Sequence, residues 1–279
     1  MSGPLEIGVT TWSFQIPEVR FDDILRTIKE DVQLDVIQVG AFGNLELTRE
    51  VQDQWIEAIH HFDLKVAATC VAFKGEDYSS IEAAVQTVGF YDRKDFDARF
   101  WHLCNMADLT SALGVHDLTT HLGYIPHDPG HPKYGYMVDV TRKICDVLAE
   151  KEVALGLEVG GLETAENLLA FILKVNRNNL KVNYDPANLV RTKIDDPVES
   201  LEVLREHIFM VHMKDAVFPD RPEIFGDMAA LGEGDVGVTR FIEKLKEIDY
   251  NGPLIIEGEG GYNTIEHVCR ARDLLRSLV

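Results

Sequence analysis

Short runs rich in Val, Ile, Leu and Thr recur along the chain and predict eight strands. They are Glu6–Ser13, Asp35–Gly40, Leu64–Val71, Val115–Leu122, Val153–Glu158, Leu180–Asp185, Ile208–Met213 and Pro253–Glu257. Several are almost unbroken apolar sequence, as strands covered on both faces are. Between them apolar positions recur at steps of three and four, as in Phe21, Ile24, Leu25 and Ile28, or Val51, Trp55, Ile59 and Phe62. Such steps predict amphipathic helices. One helix after each strand, eight times over, is the pattern of a closed β/α barrel. An open doubly wound sheet also alternates. It usually has fewer strands, and its first strand often leads into a Gly-rich phosphate turn, which Glu6–Ser13 does not.

The length of 279 residues fits one such barrel, expected as a single domain over 1–279 with no composition break. Three connections are long: Ala72 to Phe96, Gly123 to Tyr136 and Ala216 to Val236. Long loops in a compact domain are often functional, and in a barrel they gather on the active-site face. Lys plus Arg total 27 against 47 Asp plus Glu, a formal charge of −20 that disfavours nucleic acid and anionic membranes as partners. No apolar run approaches the roughly 18–20 residues of a membrane helix. The first residues do not read as a signal peptide, so a cytoplasmic protein is expected. Cys70, Cys104, Cys145 and Cys269 are scattered and read as reduced core residues.

The chemistry sits at the ends of strands five to eight. Glu158 ends the fifth, Asp185 the sixth, Glu257 the eighth, and His212 lies near the end of the seventh. Consecutive strand ends are neighbours around one barrel mouth. Three carboxylates crowded there repel one another unless a cation offsets them. Oxygen-rich ligation with one imidazole suits Mn²⁺ foremost, with Mg²⁺, Co²⁺, Fe²⁺ or Zn²⁺ as alternatives, and no thiolate is near to favour structural zinc. Taken singly, each residue also has a structural reading: a solvated strand end for Glu158, a turn or helix cap for Asp185 before Pro186, a core histidine for His212, a turn for Glu257. Their joint placement favours a shared metal site.

Other residues should line the same mouth. His121 ends the fourth strand and Lys214 lies two residues beyond His212, on the same side of its strand. Lys214 could hold a substrate oxygen or pair with a carboxylate. Trp12 and Phe14 could wall a sugar or pack in the core, and Gln38 ends the second strand. The Gly-rich stretches Gly232-Glu233-Gly234 and Gly258-Glu259-Gly260-Gly261 follow strands seven and eight, where barrels often bind phosphate, but their acidic residues favour turns. Arg191 and Arg221 are the candidate phosphate partners.

The segments GLE at Gly156–Glu158, YDPANL at Tyr184–Leu189, VHMKDA at Val211–Ala216, LGEGDV at Leu231–Val236 and YNGPLIIEGE at Tyr250–Glu259 carry a resemblance. Over essentially its whole length the chain resembles the xylose-isomerase-like TIM barrels, sugar isomerases and epimerases that also include the family 2 apurinic endonucleases. The resemblance implies that Glu158, Asp185, His212 and Glu257 ligate a divalent metal. It implies that Glu158 and Glu257 also act as acid and base in a sugar isomerase or epimerase. A proton next to a carbonyl is removed through a metal-stabilised enediolate and returned to the opposite face or to the neighbouring carbon. Dimers or tetramers are common in such families, so a homo-oligomer is compatible with it. Two positions depart from the pattern: relatives often have Glu where Gln38 stands, and many have His where Asn188 stands, so Asn188 is a further pocket candidate.

The main alternative is a metal-dependent dehydratase or lyase acting on a keto-polyol or a 3-keto-glycoside, like the inosose dehydratases, because enolisation is common to both. The endonuclease branch needs extra zinc histidines where this chain has Thr69, Cys70 and Asn188, and the charge of −20 adds to that objection. A binding subunit with a vestigial site is the non-enzymatic reading, and the intact Glu-Asp-His-Glu set argues against it.

Overall fold

The structure is a computed structural model, and it describes residues 5–14, 19–43 and 45–279. Among these residues ten strands are formed: β1 Ile7–Thr10, β2 Val36–Gly43, β3 Lys65–Phe73, β4 Asp117–Thr120, β5 Ala154–Glu158, β6 Leu180–Tyr184, β7 Ile208–Met213, β8 Asp215–Ala216, β9 Met228–Ala229 and β10 Leu254–Ile256. Eight of them close a parallel barrel in the order β1-β10-β7-β6-β5-β4-β3-β2. The short β8 and β9 pair separately as an antiparallel ribbon. The expected (β/α)8 TIM barrel is therefore the fold, and all eight expected strands are in it.

Ten α-helices accompany them: α1 Phe21–Arg26, α2 Arg49–His61, α3 Ile81–Thr87, α4 Phe96–Ala112, α5 Pro132–Ala149, α6 Ala165–Val175, α7 Pro186–Thr192, α8 Ser200–Leu204, α9 Val238–Glu247 and α10 Ile265–Leu278. One helix per strand was too simple. The connection after β3 holds α3 before the main helix α4, and the one after β6 is divided into α7 and α8. The ribbon of β8 and β9 lies inside the expected Ala216–Val236 loop. Threonine caps fix several helices against the barrel, with Thr164 accepting from the Asn167 N–H and Thr264 from the His267 N–H.

Strand limits also shift. The first strand stops at Thr10, and Thr11–Phe14 form a 3₁₀ turn rather than its continuation to Ser13. In that turn the Thr10 and Ser13 hydroxyls lie 2.6 Å apart. Asp185 is not the last residue of β6 but the cap of α7.

The main core lies between the barrel and its helices, where Leu25, Leu103, Leu155, Val182 and Phe241 are fully buried. A smaller set, Val36, Ala68, Met210 and Ile255, packs with Phe209. Gly156 is obligatory beside it: a Cβ there would stand 2.6 Å from the Phe209 ring.

Candidate functional site

Four ligand atoms, one each from Glu158, Asp185, His212 and Glu257, lie within 4.8 Å of one another. Each arrives by a different local route. Glu158 is the last residue of β5, paired in register with Asn183 of β6. Asp185 caps α7: its Oδ1 accepts from the Ala187 N–H at 2.9 Å and the Asn188 N–H at 3.2 Å. Pro186 starts the helix without needing a donor of its own. Capping turns Oδ2 of Asp185 toward the other ligands. His212 sits on β7 with no solvent exposure, opposite Ile255 of β10. Glu257 follows β10 and is held by Trp12, whose indole N–H donates to Oε1 at 2.7 Å.

His212 Nδ1 faces the carboxylates, 3.2 Å from Glu257 Oε2 and 3.4 Å from Glu158 Oε1. Its other nitrogen, Nε2, lies 2.8 Å from Gln38 Oε1. The orientation of Gln38 follows from its neighbours. Thr119 donates its one hydroxyl proton to the Thr69 carbonyl, so its lone pairs take the Gln38 Nε2 amide at 2.9 Å. The Gln38 oxygen must then face His212, and Nε2 must carry its proton there. Once a cation displaces the Nδ1 proton, the neutral ring therefore keeps its proton on Nε2 and turns its Nδ1 lone pair to the site, the tautomer a metal ligand needs. Asn183 also lies against this ring, 3.1 Å from Nε2. The two register shifts of the barrel fall beside Gln38 and Asn183. Bulges of this kind re-aim side chains.

Lys214 is almost fully buried and stands 2.8 Å from Asp185 Oδ2, 2.8 Å from Glu257 Oε2 and 3.1 Å from Glu259 Oε2. It settles as a carboxylate partner. Even so, Asp185 Oδ2 and Glu257 Oε2 are buried without a well-aligned hydrogen bond. Beside Lys214, both oxygens keep lone pairs that a divalent cation can use. Burial opposes charge throughout the cluster. At Glu257, Lys214 and His212 outweigh burial and hold the carboxyl well below the usual range. At Asp185, burial prevails and raises the pKa despite Lys214. At His212, Glu257 and Glu158 outweigh burial and push the imidazole up to about 10. A divalent cation together with Lys214 would neutralise the three carboxylates with His212 uncharged, so the residues fit a metal.

Residues 30–278 match the sequence family described as xylose isomerase-like TIM barrel. The chain belongs to that family. Among solved structures, a xylose isomerase domain protein from Planctomyces limnophilus is 30% identical. It aligns over 99% of this chain and 97% of its own, with a TM-score of 0.88. The probable 3-DHS dehydratase AsbF of Bacillus anthracis is 19% identical with a TM-score of 0.72, covering 98% and 99% of the two chains, a likeness of fold alone. L-ribulose-5-phosphate 3-epimerase UlaE of Salmonella paratyphi A is 28% identical over 144 residues, 50% of this chain and 49% of that protein. The chain spans about half the length of the curated relatives it matches.

In this xylose isomerase-like barrel a cavity of about 340 Å³ opens over the four-residue cluster. Trp12, His121, Asn188, Lys214, Glu158 and Glu257 are on its wall, as is Arg191. His121 Nε2 is 3.5 Å from Glu158 Oε1. Asn188 donates its side-chain amide to the Val159 carbonyl at 3.0 Å, which anchors the loop after β5. Phe14 is buried in the core and Gln38 lies beneath the cluster; neither is on the cavity wall. Arg221 is exposed and also off the wall. Of the cysteines, Cys70 and Cys145 are buried and Cys104 and Cys269 partly so; Cys70 also reaches the cavity, its thiol pKa pushed well up by burial.

Sequence reasoning missed Glu163. It is 5% exposed, lines the cavity, and burial raises its pKa even though its carboxylate accepts from the Gly160 N–H at 3.4 Å. The signal available was an acidic residue in the short Gly160-Gly161-Leu162-Glu163 turn directly after a ligand-bearing strand. Tyr78 and Phe225 also close over the cavity from the long loops after β3 and β7.

Proposed function

We propose that the chain works as one catalytic unit, a divalent-metal-dependent sugar isomerase or epimerase. Glu158, Asp185, His212 and Glu257 hold the ion, and Glu158 and Glu257 move protons. The observation that carries this reading is the convergence of buried oxygens from Glu158, Asp185 and Glu257 with His212 Nδ1, all within 4.8 Å of one another. A site so built selects Mn²⁺ or a similar cation over soft metals because three of its four donors are carboxylates. The bound cation supplies Lewis acidity to a substrate carbonyl and so acidifies the adjacent C–H.

The chain's own groups account for the rest. Glu158 and Glu257 come from opposite ends of the β5-β6-β7-β10 arc and both reach the cavity. One takes the proton from carbon; the other delivers one to the opposite face, so the substrate leaves with its atoms unchanged and one centre inverted. Delivery to the neighbouring carbon gives isomerisation instead. His121, beside Glu158, is placed to hold a substrate hydroxyl and orient that carboxylate. Trp12 fixes Glu257 and offers its ring as an apolar wall.

The test is a ketose panel in D₂O with purified protein and added Mn²⁺, followed by NMR. Deuterium should enter the carbon next to the carbonyl, and Glu158→Gln and Glu257→Gln should each abolish that exchange while the fold persists. Metal analysis that finds no divalent ion bound, together with full exchange in Glu158→Gln, would overturn the proposal. Release of water or of an alcohol during exchange would instead identify elimination, the dehydratase or lyase outcome.

A further inference from the structure

We infer that the site takes an uncharged polyhydroxy ketone and excludes its phosphate ester, because the loop after the seventh barrel strand has already filled its amides with Asp215 and the cavity wall is acidic. The inference rests on the function proposed above and narrows its substrate class.

Barrels often bind phosphate through the loops after the seventh and eighth barrel strands, whose free N–H groups converge on an anion. In this chain the first of those loops closes on its own carboxylate. Asp215 is 1% exposed. Its Oδ1 accepts from the Ala216 N–H at 2.9 Å and the Val236 N–H at 3.1 Å; its Oδ2 accepts from the Gly232 N–H at 2.9 Å and the Gly234 N–H at 3.0 Å. Four donors surround one internal anion, as they would surround a bound one. The fit leaves no slack: a Cβ at Gly234 would stand 2.3 Å from Asp215 Oδ1. In the second loop the Gly258 N–H is spent on the Ser13 hydroxyl at 2.7 Å. The first Gly-rich stretch thus serves a buried side chain.

The charges on the cavity wall point the same way. Glu158, Glu163, Glu257 and Glu259 face it. Lys214 is engaged by Asp185, Glu257 and Glu259. That leaves His121, beside Glu158, and Arg191, whose Nε donates to the Gly226 carbonyl at 3.0 Å while its guanidinium lies 4.9 Å over the Phe225 ring. With the metal cluster neutralised, a phosphate dianion would still meet Glu163 and Glu259 on the wall, and like charges brought together out of water disfavour a ligand.

The experiment uses the Mn²⁺-loaded protein with a matched pair, L-ribulose and L-ribulose 5-phosphate, and inorganic phosphate as a third probe. Deuterium exchange should favour the free ketose by about 100-fold or more in kcat/KM. Calorimetry should detect no binding of the ester or of inorganic phosphate at about 10 mM, far above ordinary substrate KM values. Glu259→Gln, at a half-exposed position, should improve ester binding several-fold by removing one repulsive charge. Preference for the ester, or phosphate binding that Arg191→Leu abolishes, would overturn the inference. If neither sugar exchanges while phosphate still fails to bind, the proposed chemistry falls and the exclusion of phosphate stands.

Discussion

Two buried aspartates follow neighbouring barrel strands and do opposite things. Asp185, just after β6, spends one oxygen on two amides and turns the other, beside Lys214, to the ligand cluster. Asp215, just after β7, has both oxygens saturated by four amides. Burial raises the pKa of both. The difference lies in the spare lone pair. A buried carboxylate with one to offer is built for a cation; a buried carboxylate without one is a fastening for the loop around it.

The largest effects should fall where that distinction is erased. Asp185→Ala removes the open oxygen and the helix cap together. It should weaken Mn²⁺ binding by more than about 100-fold, beyond the range seen for supporting residues, and abolish exchange. The cap itself should cost only about 1 kcal/mol of stability. Asp215→Ala should do the reverse. Orphaning four amides, two buried and two partly exposed, should cost on the order of 2–4 kcal/mol in denaturant unfolding. In the folded fraction Mn²⁺ affinity should stay within a few-fold of the parent. Equal losses of metal affinity in both variants would erase the comparison.

How much of this was legible in the sequence differs for the two aspartates as well. The ligands could be read because strand ends are strongly patterned: Glu158, His212 and Glu257 each close or nearly close an apolar run, and Asp185 stands before Pro186. The eight-strand barrel was readable for the same reason. The anchoring role of Asp215 was hidden because its partners are backbone amides up to 21 residues ahead. The carboxamide under His212 was hidden too. Gln38 and His212 are 174 residues apart, and the register shift beside Gln38 leaves no mark in hydrophobic alternation. Phe14 reads as a strand-end aromatic, but the chain turns after Thr10 and carries it into the core.

That hidden contact gives a smaller, sharper test. Gln38→Leu deletes the acceptor for His212 Nε2–H and lets the imidazole take either tautomer. Mn²⁺ affinity should fall by about 10–100-fold, the usual effect of losing such a partner. Gln38→Glu restores an acceptor and should recover most of that loss. ¹⁵N NMR of the His212 ring in the protein loaded with diamagnetic Mg²⁺, where the imidazole is neutral, supplies the independent readout: protonated Nε2 should dominate in the parent and in Gln38→Glu, and the signal should become mixed in Gln38→Leu. An unchanged ring spectrum in Gln38→Leu would show that Gln38 merely packs.

The smallest effect concerns Glu163, a carboxyl that is neither ligand nor fastening. Burial raises its pKa above the ordinary value. Below the ordinary glutamate pKa the side chain is neutral in both folded and unfolded chains and costs nothing. As pH rises past that value the unfolded chain gives up its proton first, and stability falls until the raised folded pKa is passed. Glu163→Gln removes that loss. Its melting temperature should exceed the parent's at neutral pH by about 2–4 °C for each unit of displacement, and the two should converge in acid. Differential scanning calorimetry at pH 4 and pH 7.5 checks it. A parent that gains on the variant as pH rises would mean that Glu163 is held ionised by a partner in the cavity, which would place it with Asp185 rather than apart from both aspartates.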